Sequence, residues 1–245
     1  MKDMFLKGKS GKGILLLHGF TGYIDEMEEL AKFLNKNGFT VSVPTLPGHN
    51  SSVYDLSRYT WQDWFEFVCK KYFELKKEVK KHYIGGLSMG GGMALHYAAH
   101  YDTNGVVALA SGVRLSDPTV YLTPYVKNII KFRTKKTASS DISIKNLKRK
   151  KKVYKYASLH AVDELRMFFN HLNNDIPEIE QPVLMIHGLK DHTIPFESAV
   201  NVYERLSSGY RKFVFLKKSF HLITMDIEKK IVFDETLKFL KRKKY

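Results

Sequence analysis

A serine between glycines is the first group in the chain whose type and setting could do chemistry. Ser88 lies in the segment Gly86-Leu87-Ser88-Met89-Gly90, after an apolar run typical of a strand and before a run with helical spacing. Glycines at these positions permit a sharp strand-to-helix turn that strains the serine and exposes its hydroxyl. The five-residue string alone is equally typical of an ordinary glycine-rich turn. Its placement between strand and helix predicts that Ser88 is a nucleophile.

A serine hydroxyl needs a base, and the base needs a third group that fixes its tautomer and stabilises its protonated form. His221 follows the last apolar run typical of a strand, and Asp191 follows the run before it. Both positions fall at the carboxyl edge of a parallel sheet, where open α/β sheets build their sites. We therefore predict a triad of Ser88, Asp191 and His221. Asp226 is an alternative acid, but the start of the predicted final helix favours a capping role for it.

The negative charge that develops on a carbonyl oxygen during acyl transfer needs hydrogen-bond donors. Two backbone amides supply them in this type of site, one directly after the nucleophile and one from an early strand-to-helix loop. Met89 occupies the first position. The loop Leu17-His18-Gly19-Phe20-Thr21-Gly22 offers Phe20 for the second, although the loop is also typical of a simple glycine-rich turn.

The elements that must position these residues alternate between short apolar runs and longer amphipathic stretches. This alternation predicts an α/β fold with a mostly parallel central sheet flanked by helices. The predicted strands are 13–17, 40–43, 82–87, 106–110, 183–187 and 212–216. The predicted helices are 26–37, 61–79, 89–100, 196–206 and 226–240.

The alternation is interrupted between residues 110 and 183, where the chain is basic, dotted with aromatic residues and partly helical around 164–172. A structureless loop of that length is unusual inside one domain, so we predict an inserted helical cap. The predicted core is 1–112 and 181–245, and the cap is 113–180. Apolar cap residues are candidates for acyl binding or for the cap's own core: Tyr121, Leu122, Tyr125, Ile129, Ile130, Leu165, Met167, Phe168 and Phe169.

The formal net charge of +15 raises the question of a polyanionic partner. Lysines are scattered along the whole chain, with denser clusters at 145–155 and 241–244. No recognised nucleic-acid-binding motif accompanies them, so we interpret the charge as a lysine-rich solvated surface. Weak attraction to anionic lipid or to an acidic substrate is the alternative.

Cysteine content and hydropathy favour a cytoplasmic location. Cys69 is the single cysteine, so no intramolecular disulfide can form. The first seven residues contain an apolar run of three, which predicts neither a signal peptide nor an anchor. No stretch approaches the eighteen apolar residues of a transmembrane helix. The sequence does not indicate an oligomeric state.

Six motifs occur in one order along the chain and together resemble the bacterial carboxylesterase and monoacylglycerol lipase family of the α/β-hydrolase superfamily. They are His18-Gly19-Phe20-Thr21-Gly22, Pro47-Gly48-His49, Trp61-Gln62-Asp63-Trp64, Gly86-Leu87-Ser88-Met89-Gly90-Gly91, Asp191-His192-Thr193-Ile194-Pro195 and Ser219-Phe220-His221-Leu222-Ile223-Thr224-Met225-Asp226. The resemblance covers 13–112 and 181–243. It implies the α/β-hydrolase fold and hydrolysis of carboxylic esters or monoacylglycerols, a small-molecule substrate with an acyl chain, and neither metal nor cofactor.

The motifs also separate this chain from relatives. Haloalkane dehalogenases and epoxide hydrolases of this fold carry aspartate at the position of Ser88. Prolyl aminopeptidases carry tryptophan at the position of Met89. Phe220 departs from the family's usual glycine before the histidine, which leaves substrate size open. Cinnamoyl or feruloyl esters, thioesters and carbon–carbon hydrolysis remain alternative reactions. A catalytically silent small-molecule receptor is the alternative outside enzymes.

Overall fold

The computed structural model describes residues 3–134, 154 and 156–242. Most of the basic cluster at 145–155 and the end of the basic tail therefore lie outside the described residues. The strands are β1 Met4–Leu6, β2 Lys12–Leu17, β3 Thr40–Val43, β4 Lys81–Leu87, β5 Val106–Leu109, β6 Phe132–Thr134, β7 Tyr156–Ser158, β8 Val183–Gly188 and β9 Arg211–Leu216. The α-helices are α1 Asp25–Lys36, α2 Val53–Leu56, α3 Trp61–Lys76, α4 Met89–His100, α5 Thr123–Val126, α6 Leu159–Asp175, α7 Phe196–Arg205 and α8 Lys229–Lys241.

Seven strands form one sheet in the order β1-β3-β2-β4-β5-β8-β9. Every neighbouring pair is parallel except β1 with β3, which is antiparallel. The mostly parallel sheet and its flanking helices confirm the predicted fold class. Strand β1 escaped the sequence analysis because three half-exposed residues at a sheet edge carry almost no periodic signal. Strands β6 and β7 form a separate antiparallel pair.

Side chains of the strands alternate between two hydrophobic clusters, one on each face of the sheet. In β2, Leu15 and Leu17 belong to the cluster with α3, α4, α6 and α7, whereas Ile14 and Leu16 belong to the cluster with α1 and α8. This is the two-residue period of a strand that is buried on both faces. The carboxyl ends of β2, β4, β8 and β9 therefore lie at one edge of a framework fixed from both sides.

The segment between β5 and β8 packs closely against one of these clusters. Phe168 and Leu172 of α6 are fully buried and belong to the same hydrophobic cluster as α3 and α4. A methyl group added at Gly92 of α4 would lie 3.1 Å from a side-chain carbon of each. Helix α6 begins where Ser158 Oγ accepts a hydrogen bond from the Ala161 amide, five residues before the predicted helical stretch. The cap boundaries of 113 and 180 stay a prediction.

The final helix differs from its prediction at its start. Helix α8 begins at Lys229 rather than at residue 226, and its N-cap is Glu228. The expected capping role of Asp226 is therefore wrong, because Asp226 lies in the loop before the helix. Among the described residues, no helix is long and apolar enough to cross a membrane.

Candidate active site

Ser88 occupies a strained turn between β4 and α4. Its backbone has φ 55° and ψ −119°, a region that residues with a side chain rarely adopt. The Ser88 amide donates to the Leu109 carbonyl at 2.8 Å, and Ser111 Oγ donates to the Ser88 carbonyl at 3.0 Å. The end of β5 and Ser111 just beyond it therefore hold the turn, and these contacts maintain the strain at Ser88.

Close backbone approach explains the glycines on both sides of Ser88. A Cβ atom at Gly86 would lie 2.5 Å from the backbone of Gly90, and one at Gly90 would lie 2.5 Å from the Leu17 carbonyl oxygen. These distances are shorter than carbon atoms tolerate, and backbone atoms cannot swing away. The turn requires glycine at both positions, so the motif is a packing requirement of the β4–α4 turn.

Asp191 and His221 meet at the carboxyl edge of the sheet. Asp191 lies in the loop after β8, and its Oδ2 accepts a 2.7 Å hydrogen bond from His221 Nδ1. Its Oδ1 accepts from the amides of Thr193 and Ile194 at 2.8 and 3.0 Å. The Asp191 side chain is fully buried, and that of His221 is nearly so. Because a carboxylate accepts only, the Nδ1 proton stays between them and Nε2 is the basic nitrogen of neutral His221.

Opposing effects act on the pKa of Asp191. Burial pushes the pKa upward, but the charge and hydrogen bond of His221, together with His187 and the Ile194 amide, hold it below its ordinary value. His187 Nε2 lies 3.4 Å from Asp191 Oδ2, and burial lowers the pKa of His187. Asp191 is therefore an anion at neutral pH, in position to stabilise a protonated imidazole.

Two carboxylates fix the loop that carries His221. Asp226 Oδ2 accepts from the Phe220 amide at 2.8 Å. Glu228 Oε2 accepts from the amides of Lys218 and Ser219 at 2.8 and 2.9 Å. Asp226 thus holds the backbone next to His221, while Asp191 accepts the hydrogen bond from His221 Nδ1.

Phe220 stands where the resembled family usually has glycine. Its ring is half-buried and lies 5.5 Å from the ring of His192, measured between centroids. The side chain therefore bridges the loop after β8 to the loop after β9, next to the predicted acid and base.

The loop after β2 lies directly beside Ser88. A Cβ atom at Gly19 would be 3.5 Å from the Ser88 Cβ. The Gly19 amide donates to Glu26 Oε2 at 2.9 Å, and this buried carboxylate belongs to the first turn of α1. His18 Nδ1 donates to the Gly19 carbonyl at 2.9 Å, while its Nε2 accepts from the Leu46 amide at 3.1 Å. The loop is therefore held from both sides.

Phe20 and Met89 flank the nucleophile on these two segments. The Phe20 ring packs edge-on against Trp64 at 6.0 Å and against His49 at 6.3 Å, which fixes the residue that follows Gly19. Met89 is the first residue of α4, where backbone amides lack an intrahelical acceptor. Both amides remain predicted oxyanion donors.

The apolar residues predicted to bind an acyl chain divide into two groups. Leu165, Phe168 and Phe169 are buried in the cluster beneath α6, with Met167 packed against it. The others are exposed, at 43 to 83% of their surface: Tyr121, Leu122, Tyr125, Ile129 and Ile130. The first group packs α6 onto the cluster that it shares with α3 and α4, and does not form a separate core of the cap.

Several residues that support the site carried no recognisable signal in the sequence. Glu26 and Glu228 accept hydrogen bonds from backbone amides, and His187 contacts Asp191, across loops that only the fold brings together.

Away from this site, the spacing of two histidines on α4 is a sequence signal for metal binding. His96 and His100 lie four residues apart and, with Asp175, form a group that could hold a metal ion among the described residues.

Comparison with known proteins gives one family across most of the chain. The family model described as serine aminopeptidase, S33, matches residues 8–228. The thermostable monoacylglycerol lipase of Bacillus sp. (strain H-257) is 29% identical over 93% of this chain and 89% of its own length. The carboxylesterase of Bacillus subtilis (strain 168) is 26% identical over 98% of this chain and 96% of its own.

A solved structure shares the fold. A metagenome-derived lipolytic enzyme superposes with a TM-score of 0.91, covering 98% of this chain and 97% of its own, at 23% identity. The resemblance drawn from the six motifs is thereby confirmed. The chain belongs to the serine aminopeptidase S33 family of the α/β-hydrolase superfamily, and it is a serine-type carboxylic-ester hydrolase similar to carboxylesterases and monoacylglycerol lipases.

Proposed function

We propose that Ser88, His221 and Asp191 hydrolyse the ester through an acyl-enzyme. The main support for this proposal is the 2.7 Å hydrogen bond from His221 Nδ1 to the buried Asp191 carboxylate. This pair lies at the sheet edge where Ser88 occupies its strained turn. Nε2 of His221 takes the Ser88 proton as Oγ bonds to the carbonyl carbon. The imidazolium then gives that proton to the leaving alcohol oxygen, and Asp191 stabilises the charge meanwhile.

The second half of the reaction repeats these steps with water. His221 takes a proton from water as the water oxygen attacks the acyl carbon, and the proton returns to Ser88 Oγ as the acid leaves. The amides of Phe20 and Met89 donate to the carbonyl oxygen while it is negative, and one such donor lowers the activation barrier by about 3 kcal/mol. Glu26 and His18 hold the first of these amides in place through Gly19.

Covalent labelling tests the nucleophile. A fluorophosphonate probe is expected to label the full chain, and Ser88→Ala should abolish labelling and lower kcat on p-nitrophenyl butyrate on the order of 10⁴-fold or more. Ser116→Ala removes an exposed serine and is the matched control, with both readouts unchanged. Persistent labelling of Ser88→Ala would disprove the assignment of Ser88.

For the substrate, we propose a carboxylic ester with an acyl chain, as the names of the two Bacillus relatives suggest. A panel of p-nitrophenyl esters, monoacylglycerols, feruloyl esters, acyl-CoA and aminoacyl p-nitroanilides separates this substrate from the alternatives. The last probe covers the peptidase named by the family model. Turnover of acyl-CoA or anilides without turnover of any oxygen ester would contradict the proposal.

Residues 113–180 are proposed as a cap that presents an apolar surface to lipid. Ile129 and Ile130 are exposed and directly precede the exposed Lys131 in the chain, and the whole chain carries +15. Weak attraction to an anionic bilayer follows from apolar burial combined with charge. We expect sedimentation with phosphatidylglycerol vesicles to exceed that with phosphatidylcholine vesicles, and Tyr125→Ser with Ile129→Ser to reduce it. Equal sedimentation with both lipids would refute the charge contribution.

A cytoplasmic location is proposed from the cysteine content. Cys69 is half-buried, and burial raises the pKa of its thiol to about 11, so the thiol is protonated and unreactive at neutral pH. Cell fractionation with markers for each compartment tests the location, and recovery outside the cytoplasmic fraction would contradict it.

A further inference from the structure

Two facing helices bring metal-ligating side chains together away from Ser88. His96 and His100 lie four residues apart on α4, so both project from one face of the helix. Asp175 is the last residue of α6, and His171 precedes it by four residues. Paired histidines with this spacing are a common way for a helix to chelate a transition metal.

The distances suit a single ion. His96 Nδ1 lies 2.6 Å from Asp175 Oδ2, and His100 Nε2 lies 3.5 Å from Asp175 Oδ1. One ligand atom from each residue lies within 4.8 Å of the other two. Ligands of a tetrahedral Zn²⁺ ion, bound at about 2.0 to 2.1 Å, are roughly 3.3 Å apart. The two measured separations lie on either side of that value.

Burial and charge also fit a cation. His96 is buried between the rings of Phe65 and Phe168, with centroids at 4.3 and 5.7 Å. Asp175, in contact with His96, supplies a carboxylate that can balance part of the charge of an ion. His100 is 46% exposed and Asp175 17% exposed, which gives an ion access from solvent.

We propose that His96, His100 and Asp175 bind one divalent transition-metal ion, with Zn²⁺ the best match to two imidazoles and a carboxylate. Water fills the fourth position. On binding, the Nδ1 proton of His96 moves to Nε2, and the bond from Nδ1 to the ion replaces the hydrogen bond to Asp175. The ion links α6 to α4, because its ligands come from both helices. It takes no part in ester hydrolysis, because His96 lies eight residues beyond Ser88, roughly 12 Å along α4.

Zn²⁺ titration of the untagged full chain tests the site. We expect one equivalent to bind by calorimetry and to raise the Tm. His100→Ala removes a half-exposed ligand and should weaken binding on the order of 10- to 100-fold or more, since even outer-shell changes cost that much. His160→Ala is the matched control, because it removes a similarly exposed histidine that is paired with Glu164 on α6. Co²⁺ should give the visible bands of a tetrahedral site.

Asp175→Asn is the second variant. It keeps a hydrogen-bond partner for His96 while removing the anionic ligand, so it should fold and yet lose Zn²⁺ affinity. Absence of stoichiometric binding would overturn the proposal and leave the His96–Asp175 hydrogen bond as a structural contact. Equal affinity in wild type and His100→Ala, or an equal loss in His160→Ala, would overturn it as well.

Discussion

The carboxyl edge of the sheet and the segment packed over α4 are held by different kinds of contact. At the sheet edge, Asp191, Glu26 and Asp226 each accept backbone amides, so that backbone geometry fixes the predicted catalytic groups. In the segment, side-chain contacts of Phe168 and an ion network hold α6 in place. Backbone contacts tolerate little displacement, whereas side chains can adjust. The two regions should therefore respond differently to substitution.

Within the ion network, Asp163 is the centre. Its buried carboxylate accepts from Lys127 and Arg166 at 2.6 and 2.7 Å and from Thr123 Oγ1 at 3.0 Å. Burial acts to raise the pKa of Asp163, but these partners hold it below its ordinary value. The network joins α5 to α6 and fixes the segment internally.

The largest effect is expected from the acid at the sheet edge. Asp191→Asn removes the charge that stabilises protonated His221 and reverses the Nδ1 tautomer, so kcat should fall on the order of 10⁴-fold. Asp226→Asn should retain most activity, because Asp226 holds the Phe220 amide instead. Steady-state kinetics on p-nitrophenyl butyrate compares the two. A larger loss for Asp226→Asn would make Asp226 the acid and contradict the assignment.

In the packed segment, Phe168→Ala should give the largest loss of stability. The ring is fully buried and contacts Trp61 and His96 at centroid distances of 5.8 and 5.7 Å, so truncation should cost about 3 to 5 kcal/mol of unfolding free energy. Tyr125→Ala, at a residue 79% exposed, should change it by less than about 0.5 kcal/mol. Urea unfolding measures both. A loss below about 1 kcal/mol for Phe168→Ala would show that α6 contributes little to the core.

Sequence periodicity predicted the sheet well because buried parallel strands read as continuous apolar runs. All six predicted strands lie within one residue of the structure at each end, and Thr40–Val43 agrees at both. Helix α6 was underestimated because the buried carboxylates Asp163 and Glu164 interrupt its apolar pattern. Several of their partners come from distant segments, including the Trp61 amide that donates to Glu164 at 3.1 Å.

The candidate site divides in the same way. Ser88, Asp191 and His221 were predicted from their residue types, their order along the chain and their positions at the carboxyl edge of the sheet. This was possible because few side chains can act as nucleophile, acid or base. The carboxylates that hold the surrounding loops were not predicted, since any acidic residue in a loop has the same local pattern. Only the fold shows that Glu26 faces Gly19 and that Glu228 faces Ser219.

Gly90 and Gly92 of α4 allow backbone contacts and side-chain contacts to be compared within one helix. A Cβ atom at Gly90 would lie 2.5 Å from the Leu17 carbonyl, so Gly90→Ala should cost about 2 to 3 kcal/mol. At Gly92 the neighbours are side-chain ends of Leu172 and Phe168 at 3.1 Å, which can shift. The helix propensity of alanine, about 1 kcal/mol above glycine, should offset that strain and leave Gly92→Ala near neutral. Equal losses in urea unfolding would contradict the distinction.

The smallest effect is a difference in pH dependence between the two regions. Burial lowers the pKa of His96, so below about pH 6.5 the unfolded chain binds a proton that the folded chain resists. Stability therefore falls as the pH drops from 7.5 towards 5.5. The contribution of Asp191 to the free energy of unfolding stays constant in this window, because its pKa is lowered in the folded chain. That contribution begins to fall only when the carboxyls of the unfolded chain become protonated, near about pH 4.

His96→Gln isolates this effect. Glutamine can still donate to Asp175, but it does not titrate, so the variant should lose less stability than wild type between pH 7.5 and 5.5. Other buried histidines, such as His187, are common to both proteins and cancel in the difference. Chelator in the buffer keeps metal binding out of the measurement. Parallel stability curves would mean that His96 titrates as freely as an exposed histidine, and the contact between α4 and α6 would then be open to water.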